Sequence, residues 1–377
     1  MFENLKYLVV GSGFAGSVIA ERIANQLNEN VSVIDKRNHT GGNSYSYRDQ
    51  ETQIDIHMYG SHIFHTNNEK VWRYINQFSD FNNYRHIVMS SYQEKIFPMP
   101  INLSTINHFY NKTFSPSEAM EFLKKEGKLK KGNPDDNFET RAISELGNDL
   151  YNAFIKGYTK KQWDMELTLL PASIAARIPV RFTYDNGYFP NQKQGIPVDG
   201  YGKIFDRMLS HSNISLKLKT DFFEVKEQIP KDCKIIYTGP IDRFFNYKYG
   251  KLNWRNVYFE EEKLNIDNFQ GTSVINYPEM EVKHTRIHEF KHYTPERSTN
   301  KTIIYREYSR TSSIDDDPYY PVGTPDDKKQ LALYQKEADK LSNVIFCGRL
   351  ANYRYIDMDK VIENSLDIFN TKLMRSL

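Results

Sequence analysis

The stretch Tyr7-Leu8-Val9-Val10-Gly11-Ser12-Gly13-Phe14-Ala15-Gly16 decides how this chain begins to fold. Four β-prone residues run straight into Gly-x-Gly-x-x-Gly, and apolar residues then recur at Phe14, Val18, Ile23 and Leu27, close to a helical period. A second β-branched run, Val31-Ser32-Val33-Ile34, ends on Asp35, 19 residues beyond Gly16. Strand, glycine turn, helix, strand and acid in that order form a dinucleotide fingerprint. Gly11, Gly13 and Gly16 permit the tight turn and let backbone approach a pyrophosphate at the helix start, while the Asp35 carboxylate accepts from ribose hydroxyls. A carboxylate there disfavours an extra 2′-phosphate.

Directly after the acid comes Lys36-Arg37-Asn38-His39-Thr40-Gly41-Gly42-Asn43. Its glycine doublet resembles the extended fingerprint of FAD-binding flavoproteins with two dinucleotide folds, so FAD is favoured over NAD. Gly239, in Thr238-Gly239-Pro240-Ile241-Asp242, and Arg349, in Gly348-Arg349, are two further candidate contacts.

The chain has 377 residues, enough for two or three domains. Lys plus Arg is 50 and Asp plus Glu is 48, which argues against a nucleic-acid partner, since that needs a basic surplus or stripe. No apolar run approaches the ~20 residues of a membrane span. The start lacks signal-peptide features. Two cysteines, Cys233 and Cys347, in no CxxC pair, exclude a disulfide scaffold and read as small buried hydrophobes in a reducing cytoplasm. With 26 Tyr and 23 Phe, rings are numerous enough to line a site as well as a core.

Further along, Ser115-Pro116-Ser117-Glu118 predicts a capped helix. Phe138 to Leu146 and Asp149 to Lys156 read as helices, each followed by a glycine suited to a helix end, Gly147 and Gly157. Beyond about residue 180 the texture alternates: Arg181-Phe182-Thr183-Tyr184, Thr272 to Tyr277 and Thr302 to Tyr305 read as antiparallel strands. Ile214 to Leu218, Lys234 to Gly239 and Val344 to Arg349 read as strands returning to the nucleotide-binding sheet, and 358–373 as a closing helix. The expected fold is α/β: a Rossmann-like FAD-binding domain (1–83, 200–243, 335–377), an inserted helical domain (100–178) and an antiparallel sheet domain (84–99, 179–199, 244–334). Asp315-Asp316-Asp317-Pro318 reads as a solvated turn.

Histidines cluster in Asp55-Ile56-His57-Met58-Tyr59-Gly60-Ser61-His62-Ile63-Phe64-His65-Thr66, but their spacing matches no finger or helical ligand pattern, so no metal is expected. A loop lying against a flavin ring accounts for the same mixture, with His57 packed inside. The densest polar-aromatic stretch is Tyr151-Asn152-Ala153-Phe154-Ile155-Lys156-Gly157-Tyr158-Thr159-Lys160-Lys161-Gln162-Trp163. Its rings can stack on a base and Thr159 can bond a base edge, while Lys160 and Lys161 read as solvated.

Together these segments resemble the bacterial-type UDP-galactopyranose mutase family. The resemblance rests on Gly60 to Thr66, Gly157 to Trp163, Leu170 to Ile174, Gly195 to Val198, and Gly348-Arg349-Leu350 through Tyr355-Ile356-Asp357-Met358-Asp359. It implies interconversion of UDP-galactopyranose and UDP-galactofuranose in cytoplasmic polysaccharide biosynthesis. The implied chemistry has reduced FAD attack the anomeric carbon through N5 to give a covalent sugar adduct. By the matching motifs, Arg177 and Arg286 stabilise the departing diphosphate, and His65 and His62 lie beside the flavin. Phe154, Tyr158, Thr159 and Trp163 match the uridine-binding stretch; Tyr188, Tyr320 and Tyr355 match diphosphate donors; His86, Asn276 and Asp357 fall where substrate is contacted. Cofactor contacts are expected at Gly11, Gly13, Phe14, Gly16, Asp35, Lys36, Gly42, Asn43, Ile63, Asp221, Phe222, Gly239, Arg349, Ile356, Asp357 and Met358. A homodimer and an external reductant are also implied.

Two positions depart from that family. Ser61 stands where Pro is common, and His86-Ile87 where an Asn-Arg pair is common. Both changes suggest altered sugar specificity, extending to UDP-N-acetylgalactosamine. The competing readings are an amine-oxidase-type FAD oxidoreductase and a non-catalytic FAD- or UDP-binding module.

Overall fold

The computed structural model of the chain describes residues 4–127, 137–175, 179–191, 193–295, 300–313 and 316–374. Five parallel strands form one sheet in the order Val344–Phe346, Lys234–Tyr237, Tyr7–Val10, Val31–Ile34 and Ile214–Lys217. Leu8 lies between Ile235 and Ser32 across the ladder. Such strands are covered on both faces, which is why they read as unbroken apolar runs. The helix Phe14–Gln26 buries Val18, Ile19 and Ile23 against the sheet and packs beside the helix Met358–Ile368. Cys233 and Cys347 are both free and buried.

The second layer is a seven-stranded sheet ordered Tyr320–Pro321, Trp254–Leu264, Thr302–Thr311, Arg286–Glu289, Val274–Asn276, Val88–Tyr92 and Lys95–Met99. All its pairings are antiparallel except one, between Val274–Asn276 and Val88–Tyr92, which is parallel. Helices Leu103–Tyr110, Pro116–Gly127 and Phe138–Leu146 pack on its far edge, with Leu103, Ile106, Phe138 and Phe154 sharing one core with Val88, Phe97 and Val274. Asn102 and Asn137 cap two of these helices reciprocally with Thr105 and Thr140, and Ser115 and Glu118 exchange the expected bonds at the third.

Two expectations change. Arg181 to Tyr184 form no strand; the segment crosses the start of the helix Leu103–Tyr110, making single backbone bonds from Arg181 to Ile101 and from Leu103 to Thr183. Gly157 does not end a helix. Its backbone is helical, and a π-helical turn, Tyr151–Lys156, runs directly into the helix Gly157–Trp163. A Cβ on Gly157 would sit 2.2 Å from the Pro278 carbonyl oxygen. The glycine serves close approach, and a single sequence shows no sign of Pro278 arriving there.

Candidate active site

A cavity of about 1320 Å³ opens where the two sheets and the helices meet. Single small-ligand pockets hold roughly 300–1,000 Å³, so this space fits two ligands end to end.

At one end the strand Tyr7–Val10 turns through Gly11, whose φ is +101°, into the helix that begins at Phe14. A Cβ on Gly11 would meet Thr238 Oγ1 at 2.1 Å, whereas one on Gly13 would find nothing nearer than the Gly42 Cα at 3.7 Å. Gly13 and Gly42 therefore present bare backbone to the cavity. Gly16 is a correction: it lies outside the lining, and a Cβ there would meet Gly11 O at 1.9 Å, so it serves helix-to-strand packing. Asp35 Oδ2 accepts from the Ser12 amide at 2.8 Å and its hydroxyl at 2.7 Å, at the head of the same turn. Asn43 accepts from Arg37 at 2.8 Å, and Lys36 pairs with Asp317 at 2.8 Å. Asp317, which also binds Arg37 at 2.7 Å, is thus no solvated residue of a charge run. Asn256 of the second sheet holds it there, donating from Nδ2 to the Asp317 carbonyl at 2.8 Å. Gly239, Asp221 and Phe222 complete this end.

The middle is built from Gly60 to Ile63, His65, Arg286 and the late segment Arg349 to Met358. His62 donates from Nδ1 to the Gly60 carbonyl at 2.7 Å; burial lowers its pKa to about 4, so Nε2 is left as an acceptor. His65 stacks on Phe189 with ring centroids 3.7 Å apart, and its Nδ1 bonds Asn191 at 3.0 Å. His57 is buried, stacked on Tyr293. Among the described residues no group of three His, Cys, Asp or Glu side chains could hold a metal ion. The Arg349 guanidinium lies 4.5 Å from the Tyr355 ring and 5.2 Å from that of Tyr320, which stack on each other. Its Nε is buried without a protein partner, as is Asn276 Oδ1. Ile356, Asp357 and Met358 line the same wall, where the closing helix begins.

Arg286 governs the chemistry of the middle. Its strand lies beside Thr302–Thr311 with Arg286 opposite Glu307, and Arg286 Nε is 3.2 Å from Glu307 Oε1. Burial works against both charges, yet Arg286 and His288 hold the Glu307 carboxyl down to about 2. Burial likewise opposes the Arg286 charge, but Glu307 and the surrounding phenols raise its pKa. The same guanidinium donates to the Tyr158 hydroxyl. A fixed cation of this kind stabilises a leaving diphosphate.

At the far end Phe154, Tyr158, Thr159, Gln162 and Trp163 project from the π-helical turn and the helix after it, with Asn276 opposite. Phe154 also serves the core, at 5.0 Å from Phe97. His86 is buried and lines the cavity beside Tyr188; burial takes its pKa to about 3. Lys161 is a further correction: Nζ donates to the carbonyls of Tyr277, Glu279, Val282 and His284, closing the loop between Asn276 and Arg286. Lys160 makes only an exposed pair with Glu166. Arg177 lies outside the described residues, although Ile174 and Pro179 on either side of it line the cavity. Glu307 and His288 were missed from sequence because their partners come from strand register. Their one local signal is that Arg286 and His288 share a face of one strand.

Residues 153–355 match the family described as UDP-galactopyranose mutase, and residues 9–78 match the NAD(P)-binding Rossmann-like domain. The chain is 42% identical to a probable UDP-galactopyranose mutase of Klebsiella pneumoniae, over 97% of this chain and 94% of that protein. It is 40% identical to the dTDP-fucopyranose mutase of Escherichia coli, over 96% and 97%. Its fold matches a solved reduced UDP-galactopyranose mutase with a TM-score of 0.77 at 14% identity, covering 97% of this chain and 93% of that one.

Proposed function

This chain belongs to the UDP-galactopyranose mutase family, and from that premise we propose that it interconverts UDP-galactopyranose and UDP-galactofuranose with reduced FAD bound at the glycine turn. It is an isomerase with a Rossmann domain that fits a flavin. The observation that carries the reading is the continuous cavity from Gly13 to Trp163, with Arg286 between its two ends. Reduced FAD, when bound, would supply an electron-rich N5 as nucleophile toward the anomeric carbon. The protein's part is binding and charge. Thr159 and the surrounding rings hold the base, while Arg286, with Arg177, Tyr320 and Tyr355, steadies the diphosphate through hydrogen bonds to its oxygens. Bare backbone at Gly13 and Gly42, the unpartnered Arg349 Nε and the acceptor on His62 suit the cofactor. The three-domain division read from the sequence, a homodimer, a cytoplasmic setting and an external reductant belong to the same proposal.

The 40% identical dTDP-fucopyranose mutase gives a second nucleotide sugar to test, and Ser61 with His86 a third, UDP-N-acetylgalactosamine. Purified protein reduced with dithionite should turn UDP-galactose into furanose product by chromatography, and should be silent when oxidised. Preferential turnover of dTDP-fucose or the acetamido sugar would reassign the substrate. Oxygen consumption with oxidised flavin would overturn the isomerase assignment in favour of an oxidoreductase.

A further inference from the structure

Ser61 lies on the cavity wall at the start of a hydrogen-bonded file that the roles above leave unused. Its hydroxyl contacts both His288 Nδ1 and the Tyr293 hydroxyl, and His288 Nε2 lies 2.9 Å from Glu307 Oε2. Donor and acceptor roles can be fixed from the far end. Glu307 is ionised and can only accept, so His288 carries its hydrogen on Nε2. Burial lowers the His288 pKa below 6.5, so the ring is neutral and Nδ1 accepts. Ser61 therefore donates to His288, and Tyr293 donates to Ser61. Three of the four tetrahedral directions at Ser61 Oγ are then occupied by its own carbon, its hydrogen and Tyr293. The remaining lone pair is free for a ligand hydroxyl.

Ring contraction, the reading on which this inference rests, demands such a group. In the pyranose O5 closes the ring and O4 bears hydrogen; in the furanose O4 closes the ring and O5 bears it. One proton must leave O4 and one must reach O5. We propose that Ser61, His288 and Glu307 form the proton relay for that exchange, with Ser61 touching the sugar and His288 storing the proton. The C1–O5 bond breaks with its electron pair kept on O5; as O4 then bonds C1, the O4–H bond breaks toward Ser61 Oγ while the Ser61 proton passes to His288 Nδ1. The resulting imidazolium is balanced by Glu307. The same two transfers reversed deliver the proton to O5 after the C1–O5 bond has opened. No electrons are gained or lost, and the side chains end as they began. The polarity matches that of a serine, histidine and carboxylate array, in which the acid orients the ring and stabilises its charged form.

The relay works only while His288 is neutral. His57 faces it from the end of the strand Asp55–His57, His62 and His86 from loops, Arg286 sits on its own strand, and Glu307 lies on the next one. Burial and the Arg286 charge disfavour its protonation, and Glu307 favours it.

Three variants and one spectrum test the relay. Ser61→Ala should lower kcat about 10²-fold while flavin content stays normal and KM moves by less than about threefold. Ser61→Thr, which keeps a hydroxyl, should stay within about tenfold of the parent. His288→Gln keeps an acceptor for Ser61 but cannot store a proton. It should fall as Ser61→Ala does and lose the acid limb of the kcat profile below pH 6.5. Histidine 15N NMR of the enzyme without sugar should find His288 protonated at Nε2 only. Parental kcat in His288→Gln, or a hydrogen on Nδ1, overturns the relay while leaving ring contraction intact. Absence of furanose from the parent enzyme itself overturns both.

Discussion

Arg286 and Glu307 face each other across neighbouring strands, with Nε 3.2 Å from Oε1, inside the wall of the cavity. The pair ties substrate chemistry to fold stability, because each charge is buried and relies on the other. Arg286→Ala should lower turnover on the order of 10²–10³-fold, as when a charge-stabilising donor is lost. It also strands Glu307, at a stability cost of about 3–5 kcal/mol. The double variant Arg286→Met with Glu307→Gln should recover most of that stability and none of the turnover, measured by urea unfolding beside product formation.

Glu307 should also shape the acid limb of stability. Its carboxyl titrates near 2 in the folded protein against an ordinary 4.5, so its contribution is complete above pH 4.5 and is lost as the pH falls toward 2. Urea unfolding of the parent should weaken more steeply between pH 5 and 2.5 than that of Glu307→Gln. Equal slopes would contradict the assignment.

Gly157→Ala reverses a general rule. Replacing a helical glycine by alanine ordinarily stabilises by about 1 kcal/mol. Here the added carbon would lie 2.2 Å from Pro278 O, displacing the loop that Lys161 closes. The variant should unfold at lower denaturant and bind UDP less tightly by calorimetry.

Lys161→Met removes one ammonium from four carbonyls. With roughly 1–3 kcal/mol for each buried acceptor left unpaired and some recovered by water, a net loss on the order of 3–5 kcal/mol is expected. Thermal unfolding measures it, and Lys161→Gln should restore only part.

The two glycines of the first turn should separate by symptom. Gly11→Ala meets Thr238 at 2.1 Å with φ at +101°, so it should impair folding itself. Gly13→Ala has room within the protein and should fold normally, yet lose flavin absorbance on purification.

The sequence by itself determined the parallel sheet, the glycine turn, the acid at Asp35 and the cap at Ser115, because each is a local pattern within a few tens of residues. It also marked most of the cavity's lining, since the stretches Gly60 to Thr66, Gly157 to Trp163 and Tyr355 to Met358 carry dense polar and aromatic chemistry. Only the tertiary structure decided which of those residues act together. Glu307 meets Arg286 through strand register; Lys161 meets four carbonyls more than a hundred positions away; Asp317 crosses to Arg37; and Ser61 finds His288 from a distant loop. Register and long-range closure are set by the summed burial of whole faces, which no window along one chain contains.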